Sequence, residues 1–292
     1  MMTVREQLHS LLPQAARVQI KSWRDRLDAF YVRKFLAFTP DDLLATLRRL
    51  GIKRGDVVIA HTSFAQFAGF QGGLSDVIKT LQAAVGEEGT LLIPTLPFDG
   101  AAIDYVKSGT ITDIARTPSR MGFITEIFRR LPGVTRSIHP THPIAIWGKD
   151  AAAIAAGHHS AATPCGVGTP FYQLLERKGK VLLAGVSIRT MTFYHCVEEL
   201  IEPDMPFSAF TTEWFETKTK GPDGTIYPSR MRLFDPGVSA RRDPELMVEP
   251  LKKRGFWKSA RLGRLELIVL STTDVLATVR EMAASGQFCY FS

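Results

Sequence analysis

Short apolar runs alternate with amphipathic segments along most of this chain. Such runs, bounded by Gly, Pro or polar residues, are typical of buried strands; they occur at 56–60, 89–94, 144–147, 180–184 and 265–270. Because helical patterns separate them, the sequence predicts a layered α/β fold with a central, largely parallel sheet flanked by helices. After Leu200, alternating arms flank Gly-Pro-Asp-Gly at 221–224, which predicts a β-hairpin and a C-terminal α/β extension.

Helix-start signals divide the rest of the chain. Thr39 is placed to cap a helix that begins at Pro40 and that Gly51 ends. Further helices are predicted at 76–85 capped by Ser75, 120–131 capped by Ser119, 149–156, 170–177 opened by Thr169, 191–200, 243–249 with Pro250 ending or kinking it, and 272–284 capped by Ser271. Residues 96–118 are predicted to form a long irregular segment, of the kind that is often functional.

The domain organisation follows from the same pattern. Residues 1–38 are predicted to be a peripheral helical segment broken at Pro13, with Val4, Leu8, Leu11 and Leu12 at helical spacing. Residues 39–292 contain no Gly/Ser-rich or Pro-rich linker, and they are predicted to form a single domain.

Composition narrows the class of protein. The net charge of +7 raises the possibility of nucleic-acid binding, but the basic residues are scattered in pairs and form no stripe with aromatics. A basic solvated surface, or a site for a small anionic ligand, is the favoured explanation. No apolar run reaches the roughly 20 residues of a membrane span, and the N-terminus lacks a signal-like apolar region. Three dispersed cysteines are typical of a reducing compartment, so we expect a cytoplasmic protein without nucleic-acid or membrane partners.

Candidate chemistry centres on His195, in the first turns of the helix that follows the strand at 180–184. Glu198 lies three residues on, on the same helical face, which suits a general base with a carboxylate partner. The alternative, a packed or surface histidine, stays open on this pattern alone. His139 and His142 could be mistaken for metal ligands, but the flanking prolines predict an extended segment, and we expect no metal site.

Several segments, in this order, resemble the aminoglycoside 3-N-acetyltransferases. They are DVVIAHTSF (56–64), GFQGG (69–73), VGEEGTLLIPT (85–95), the stretch 121–148, GVGTPF (166–171), GKVLLAGV with TFYHCVE (179–198), and the hairpin sequences GPDG and FDPG. The resemblance covers roughly residues 40–285. It implies an α/β acyltransferase domain over 39–292 that transfers an acetyl group from acetyl-CoA to an amino group of an amino sugar or an aminoglycoside-like acceptor, an activity linked to antibiotic resistance. The expected partners are therefore CoA and a small-molecule amine, with a homodimer as a possible assembly.

Carried over residue by residue, the resemblance makes His195 the catalytic base, with Glu198 and Asp235 as the carboxylates that assist it. The implied CoA-binding residues are Thr62, Ser63, Phe64, Thr95, His142, Gly168, Thr169, Phe171 and Thr192.

Three positions depart from the family pattern. Pro143 and Thr169 stand where serine is usual, and Leu233 stands where an acidic residue is frequent. The missing carboxylate, together with the net positive charge, predicts an acceptor that is less cationic than a clinical aminoglycoside. The same departures motivate a second hypothesis, that the chain is a catalytically inactive CoA- or sugar-binding member of the family.

Overall fold

Ten strands form two sheets in the computed structural model, which describes residues 13–291. In chain order they are β1 (Val57–Thr62), β2 (Thr90–Pro94), β3 (Thr112–Asp113), β4 (Val134–Arg136), β5 (Ile144–Gly148), β6 (Lys180–Ala184), β7 (Phe215–Lys220), β8 (Ile226–Met231), β9 (Lys258–Leu262) and β10 (Leu265–Ser271). The larger sheet has the order β4-β5-β2-β1-β6-β10-β9, and the smaller has the order β3-β7-β8.

The larger sheet is mixed. Its central strands β2, β1 and β6 run parallel, with Ile59 of β1 paired to Leu92 on one side and to Val181 on the other. Antiparallel strands complete the sheet on both sides. The predicted layered α/β fold is confirmed, and the parallel part of the sheet is its centre.

Eleven α-helices occur among residues 13–291, and several of them pack on the two faces of the larger sheet. They are α1 (Gln14–Phe35), α2 (Pro40–Arg49), α3 (Leu74–Val85), α4 (Ala102–Lys107), α5 (Phe123–Phe128), α6 (Ala151–Ala155), α7 (Pro170–Glu176), α8 (Phe193–Ile201), α9 (Pro236–Arg241), α10 (Val248–Lys253) and α11 (Thr272–Ala284). Short 3-10 helices occur at Phe64–Gln66, His158–Ser160, Ile188–Thr190, Glu202–Asp204 and Pro244–Met247. Among residues 13–291, no helix has the length and apolar character that crossing a membrane requires.

Two apolar cores, one on each face, explain why the central strands are almost wholly apolar. Successive side chains of a strand point to opposite faces. Accordingly, Ile59 and Leu183 join the core beneath α7, α8 and α11, whereas Ala60 and Leu182 join the core beneath α2, α3 and α5. Burial on both faces gives continuous apolar runs rather than alternating ones.

Several predicted helix boundaries are wrong, because the serines expected to cap the helices do not do so. Helix α3 begins at Leu74, one residue before Ser75, and the Gly73 N–H donates to the Asp76 carboxylate at 2.8 Å. Helix α5 begins at Phe123, whereas Ser119 bonds to the Thr125 hydroxyl at 2.7 Å.

Proline has less effect on the later helices than the sequence predicts. Pro250 does not end a helix, since it lies in the first turn of α10, where a missing N–H leaves no bond unmade.

Ser271 does precede α11, but its side chain makes no capping bond. Thr39 caps α2 as predicted, and Thr169 caps α7.

The segment predicted to be irregular, 96–118, contains α4 and β3, and β3 pairs with β7 of the hairpin. It thereby joins the hairpin to the body of the protein. The N-terminal segment contributes α1, which is almost entirely exposed. The predicted positions Val4, Leu8, Leu11 and Leu12 lie outside the described residues.

Candidate active site

His195 lies in the first turn of α8, beyond the end of the buried strand β6. The connection runs over residues 185–192 and includes the 3-10 helix Ile188–Thr190. The carbonyl of Thr192 accepts the His195 N–H at 3.1 Å. The side chain of His195 is 22% exposed, so the ring is enclosed but still accessible to a small molecule.

Glu198 holds the imidazole from one helical turn away. Its carboxylate is fully buried, and Oε2 lies 3.3 Å from Nδ1 of His195. Arg242 donates from Nε to both oxygens of the same carboxylate, at 2.9 Å and 3.1 Å. Because an ionised carboxylate only accepts, Nδ1 of His195 carries the proton and Nε2 keeps its lone pair.

The surroundings keep His195 neutral. Burial lowers the pKa of His195, the nearby Arg242 lowers it further, and Glu198 raises it, with a net pKa below the ordinary 6.5. The ring packs 4.6 Å from the ring of Phe234, centroid to centroid, and the Arg242 guanidinium lies 5.2 Å from that same ring. An imidazole that is neutral near pH 7, with one nitrogen held and the other available, can act as a base.

The carboxyl ends of the parallel strands place further groups beside this ring. Strand β1 ends two residues later than predicted because His61 and Thr62 pair with Leu183 and Ala184 of β6. His61 is buried, and burial followed by the proximity of His195 lowers its pKa to about 3. Nε2 of His61 and Oγ1 of Thr62 are buried without a hydrogen-bond partner in the part of the chain that the structure describes. Buried polar atoms normally have partners, so the hydrogen-bonding capacity of these two atoms is unused within the described residues.

Some of the predicted CoA-binding residues have their polar atoms engaged inside the protein. Thr95 is buried; its hydroxyl donates to the Pro143 carbonyl at 2.8 Å and accepts from Arg136 Nε at 2.9 Å. The Thr169 hydroxyl caps α7, and Phe171 lies in the core with no exposed surface. The polar atoms of Thr95 and Thr169 thus make internal hydrogen bonds, and Phe171 is part of the apolar core.

Others of the set are accessible. Ser63 and Phe64, which follow β1, are partly exposed. Gly168 is exposed in the left-handed region at φ +84°, with no atom near its missing Cβ, so its backbone can be approached closely. Thr192, by contrast, is not accessible: it precedes α8 and is buried.

Asp235 and Arg242 differ in their relation to the base. Asp235 caps α9, where Oδ1 accepts the Val238 N–H at 2.9 Å, and among residues 13–291 it makes no hydrogen bond to His195. Arg242 holds Glu198 instead. From the sequence, Arg242 was only one member of a scattered pair of basic residues. Its contact with Glu198 could not be predicted, because 44 residues separate the two in the chain.

The His139-Pro-Thr-His142 segment is held by internal hydrogen bonds. Nδ1 of His139 accepts the backbone N–H of Thr141 at 3.2 Å and that of His142 at 2.9 Å. The two rings are 6.0 Å apart and inclined at 78°, and the His142 ring lies 6.3 Å from that of His195. Within residues 13–291, no three His, Cys, Asp or Glu side chains are grouped as metal ligands would be.

Comparison with known proteins identifies the family and agrees with the fold. Residues 59–284 match the sequence profile of the aminoglycoside 3-N-acetyltransferase family, so the chain belongs to that family.

Relatives of the chain carry the same name. It is 33% identical over 169 residues to aminoglycoside N(3)-acetyltransferase IX of Micromonospora chalcea, covering 53% of this chain and 60% of that protein. It is 29% identical over 176 residues to the aminoglycoside N(3')-acetyltransferase-like protein YokD of Bacillus subtilis, covering 55% of this chain and 64% of the relative. The match thus spans less than two thirds of the length of these two relatives. Aminoglycoside N(3)-acetyltransferase III of Serratia marcescens is 28% identical over 259 residues, which cover 82% of this chain and 94% of the other.

Solved structures share the architecture. Aminoglycoside acetyltransferase AAC(3)-Xa superposes with a TM-score of 0.74 at 25% identity, covering 88% of this chain and 98% of that one. AAC-IIIb, solved as a binary complex with CoASH, superposes with a TM-score of 0.70 at 23% identity, covering 87% and 99% of the two chains. At that identity, the second likeness concerns the fold alone.

Proposed function

We propose that this protein transfers an acetyl group from acetyl-CoA to a primary amine, with His195 as the general base. The observation behind this proposal is the arrangement of Arg242, Glu198 and His195, which assigns the proton to Nδ1 and leaves Nε2 unprotonated on a side chain that is 22% exposed. Membership of the aminoglycoside 3-N-acetyltransferase family supports the reaction type.

The chemistry follows from the protonation states. The amine nitrogen attacks the carbonyl carbon of the thioester, a C–N bond forms, the C–S bond breaks, and the sulfur leaves as the thiol of CoA. Nε2 of His195 accepts the proton that the amine loses and passes it to the departing sulfur. Glu198 stabilises the transient imidazolium through Nδ1. Assistance of this kind is worth roughly 10²–10⁴-fold in rate.

We place the acetyl-CoA substrate along the carboxyl ends of β1 and β6. The unpartnered Thr62 Oγ1 and His61 Nε2 offer polar atoms there, and Ser63, Phe64 and Gly168 offer accessible surface. In this proposal Thr95, His142, Thr169, Phe171 and Thr192 hold the site in shape, and Asp235 positions the loop that leads to Arg242.

We further propose an acceptor less cationic than a clinical aminoglycoside. A polycationic acceptor needs carboxylates that no internal cation already neutralises. On and around the segment 96–118 most acidic side chains are paired: Asp99 with Arg120 at 3.8 Å, Asp113 with Lys220 at 3.3 Å, and Glu213 with Lys107 at 3.8 Å. Asp104 of α4 is the exception on this segment, since it makes no ion pair among residues 13–291.

Leu233 supports the same conclusion. It has no exposed surface and packs with Phe215, Met231 and Ile103 of α4. Where the family frequently has an acidic side chain, this chain therefore has a leucine that belongs to an apolar cluster. A single amino group on a sugar, a nucleotide-linked sugar or a biosynthetic intermediate fits these surroundings.

The test of catalysis is release of CoA thiol from acetyl-CoA with a broad panel of amines. His195→Ala should lower kcat/KM by roughly 10²–10⁴-fold while the melting temperature and CoA binding persist. His159→Ala, which changes a histidine outside the site, is the matched control and should keep full activity. Turnover by His195→Ala at the wild-type rate would refute the role of His195. Tight CoA binding by the wild type without thiol release on any amine would show an inactive binding protein.

The test of the acceptor compares kcat/KM for a 2-deoxystreptamine antibiotic with values for amino sugars and nucleotide-linked amino sugars. We expect the second group to be preferred. Efficient acetylation of the antibiotic, with the others inert, would instead establish a resistance enzyme.

A further inference from the structure

Helix α1 exposes an apolar stripe along much of its length. Ile20, Trp23, Leu27 and Phe30 follow one another at spacings of three and four residues, so they lie on one helical face. They are 50%, 65%, 62% and 51% exposed, respectively. We call these four residues the α1 stripe. Apolar patches of this kind on a protein surface mark an interaction site.

The opposite face of α1 attaches the helix to the domain. Val32 is the buried residue of its second half, and it packs beside Gly69. Asp28 pairs with Arg264 through two hydrogen bonds, one of them 2.8 Å long. Since Val32 lies on the far side of the helix from the α1 stripe and Asp28 lies on its flank, the stripe faces away from the body of the protein.

Basic residues are in excess along α1, and two of them, Arg24 and Arg26, flank the stripe. Residues 18–35 contain five of them, Lys21, Arg24, Arg26, Arg33 and Lys34, against two acidic residues, Asp25 and Asp28, and all seven are exposed. Arg24 and Arg26 project on the two sides of Trp23, and Lys34 Nζ lies 5.6 Å from the Phe30 ring. An aromatic and aliphatic stripe edged with cations is the composition of a helix that lies in the interface of an anionic bilayer.

A second copy of the helix fits this surface less well. Two α1 stripes brought face to face would bring together two helices that each carry an excess of cations, and like charges beside such a contact oppose pairing. Anionic lipid head groups neutralise the same cations, and their acyl chains cover the stripe.

We propose that α1 binds the protein to the surface of anionic membranes, with the α1 stripe inserted among the lipid chains. No membrane-spanning segment is needed, because an interfacial helix lies parallel to the bilayer. The sequence-based expectation of no membrane partner rested on the absence of a span, and it does not bear on this mode of binding. The proposal is also independent of the reaction at His195.

The test is cosedimentation of the full chain with vesicles of phosphatidylcholine alone and of an equal mixture of phosphatidylcholine and phosphatidylglycerol. We expect binding to the anionic vesicles that weakens as salt rises, with a blue shift of Trp fluorescence that Trp23→Phe removes. Leu27→Glu with Phe30→Glu should lower the partition coefficient by roughly a hundredfold, as expected for withdrawing two large apolar side chains from the acyl region. Arg24→Ala with Arg26→Ala should lower it by roughly tenfold to thirtyfold.

The matched control carries the same change in charge at exposed apolar positions outside α1: Phe123→Glu with Ile226→Glu. It should bind vesicles as the wild type does. Far-UV circular dichroism checks that every variant is folded. Failure of the wild type to bind anionic vesicles at low salt would overturn the proposal, as would equal binding by the α1 stripe variant. A concentration-dependent dimer that Leu27→Glu with Phe30→Glu dissociates, without vesicle binding, would show an interface between copies instead.

Discussion

Arg242 donates through Nε to both carboxylate oxygens of Glu198, at 2.9 Å and 3.1 Å, from a position 44 residues further along the chain. Glu198 is fully buried and also contacts the imidazole of His195. The residue that orients the proposed base is thus itself oriented by a guanidinium from the segment after α9.

Replacing Arg242 by Met should change the pH profile as well as the rate. Arg242 lowers the pKa of His195, so its removal should move the acid limb of kcat/KM to higher pH. It also leaves a buried carboxylate without its cation, which costs about 3–5 kcal/mol of stability. Arg242→Lys keeps the charge and is the control, with a smaller shift of the limb. An acid limb unmoved in Arg242→Met would argue against the charge effect.

The free energy of unfolding should fall steeply as the solution is acidified below about pH 6.5. Burial lowers the pKa of His61 to about 3 and that of His158 to about 4, and it holds those of His139 and His142 well below 6.5. Between about pH 4 and 6.5 the unfolded chain binds more protons than the folded one, so stability rises with pH. His61 and His158 together should contribute about 2.7 kcal/mol per pH unit.

Urea unfolding at a series of pH values measures this slope. His158→Gln should reduce it by about 1.4 kcal/mol per pH unit, whatever the variant costs at neutral pH. A slope that does not change in His158→Gln would mean that this histidine is not held neutral by burial.

Glu199 should act in the opposite direction. Burial raises the pKa of Glu199 to about 8, although Thr163 and the Cys165 N–H both donate to its carboxylate. The folded state therefore holds the proton above the ordinary pKa of 4.5, and the stability contribution of this group declines as pH rises through about 8. Glu199→Gln should remove the decline, a relative gain of about 1–3 kcal/mol between about pH 6 and pH 8.

Glutamine suits this position because its oxygen can accept from Cys165 while its amide donates to the Thr163 hydroxyl. Thermal unfolding of both proteins across the pH range is the measurement. Parallel curves for Glu199→Gln and the wild type would contradict a raised pKa.

Gly166 should tolerate no side chain. A Cβ at this position would lie 1.9 Å from Glu199 Oε2 and 2.6 Å from Thr163 Oγ1. Gly166→Ala should therefore displace Glu199 and cost about 3 kcal/mol. Gly168→Ala is the control: its φ of +84° costs about 1–2 kcal/mol, but no atom lies near its Cβ. Unfolding in urea compares the two. If Glu199 is the obstacle, Glu199→Ala should suppress most of the Gly166→Ala cost; if it does not, the clash is elsewhere.

The sequence alone determined the parts of this protein whose cause is local. Strands β1, β2, β6 and β10 were predicted because burial on both faces requires continuous apolar runs. The Thr39 cap, the hairpin turn and the spacing of His195 and Glu198 depend on residues within one turn of each other. Their geometry is fixed by the backbone of a single element.

The tertiary structure decided what depends on residues far apart in the chain. The edge strands β4 and β9 lack a continuous apolar run, and they exist because β5 and β10 supply hydrogen-bonding partners. Three further contacts leave no periodic pattern in the sequence. They are the pairing of His61 with β6, the hydrogen bonds of the Thr95 hydroxyl, and the Arg242–Glu198 contact. Each is a long-range contact whose energy appears only when the sheet brings its two members together, and the proposed base depends on one of them.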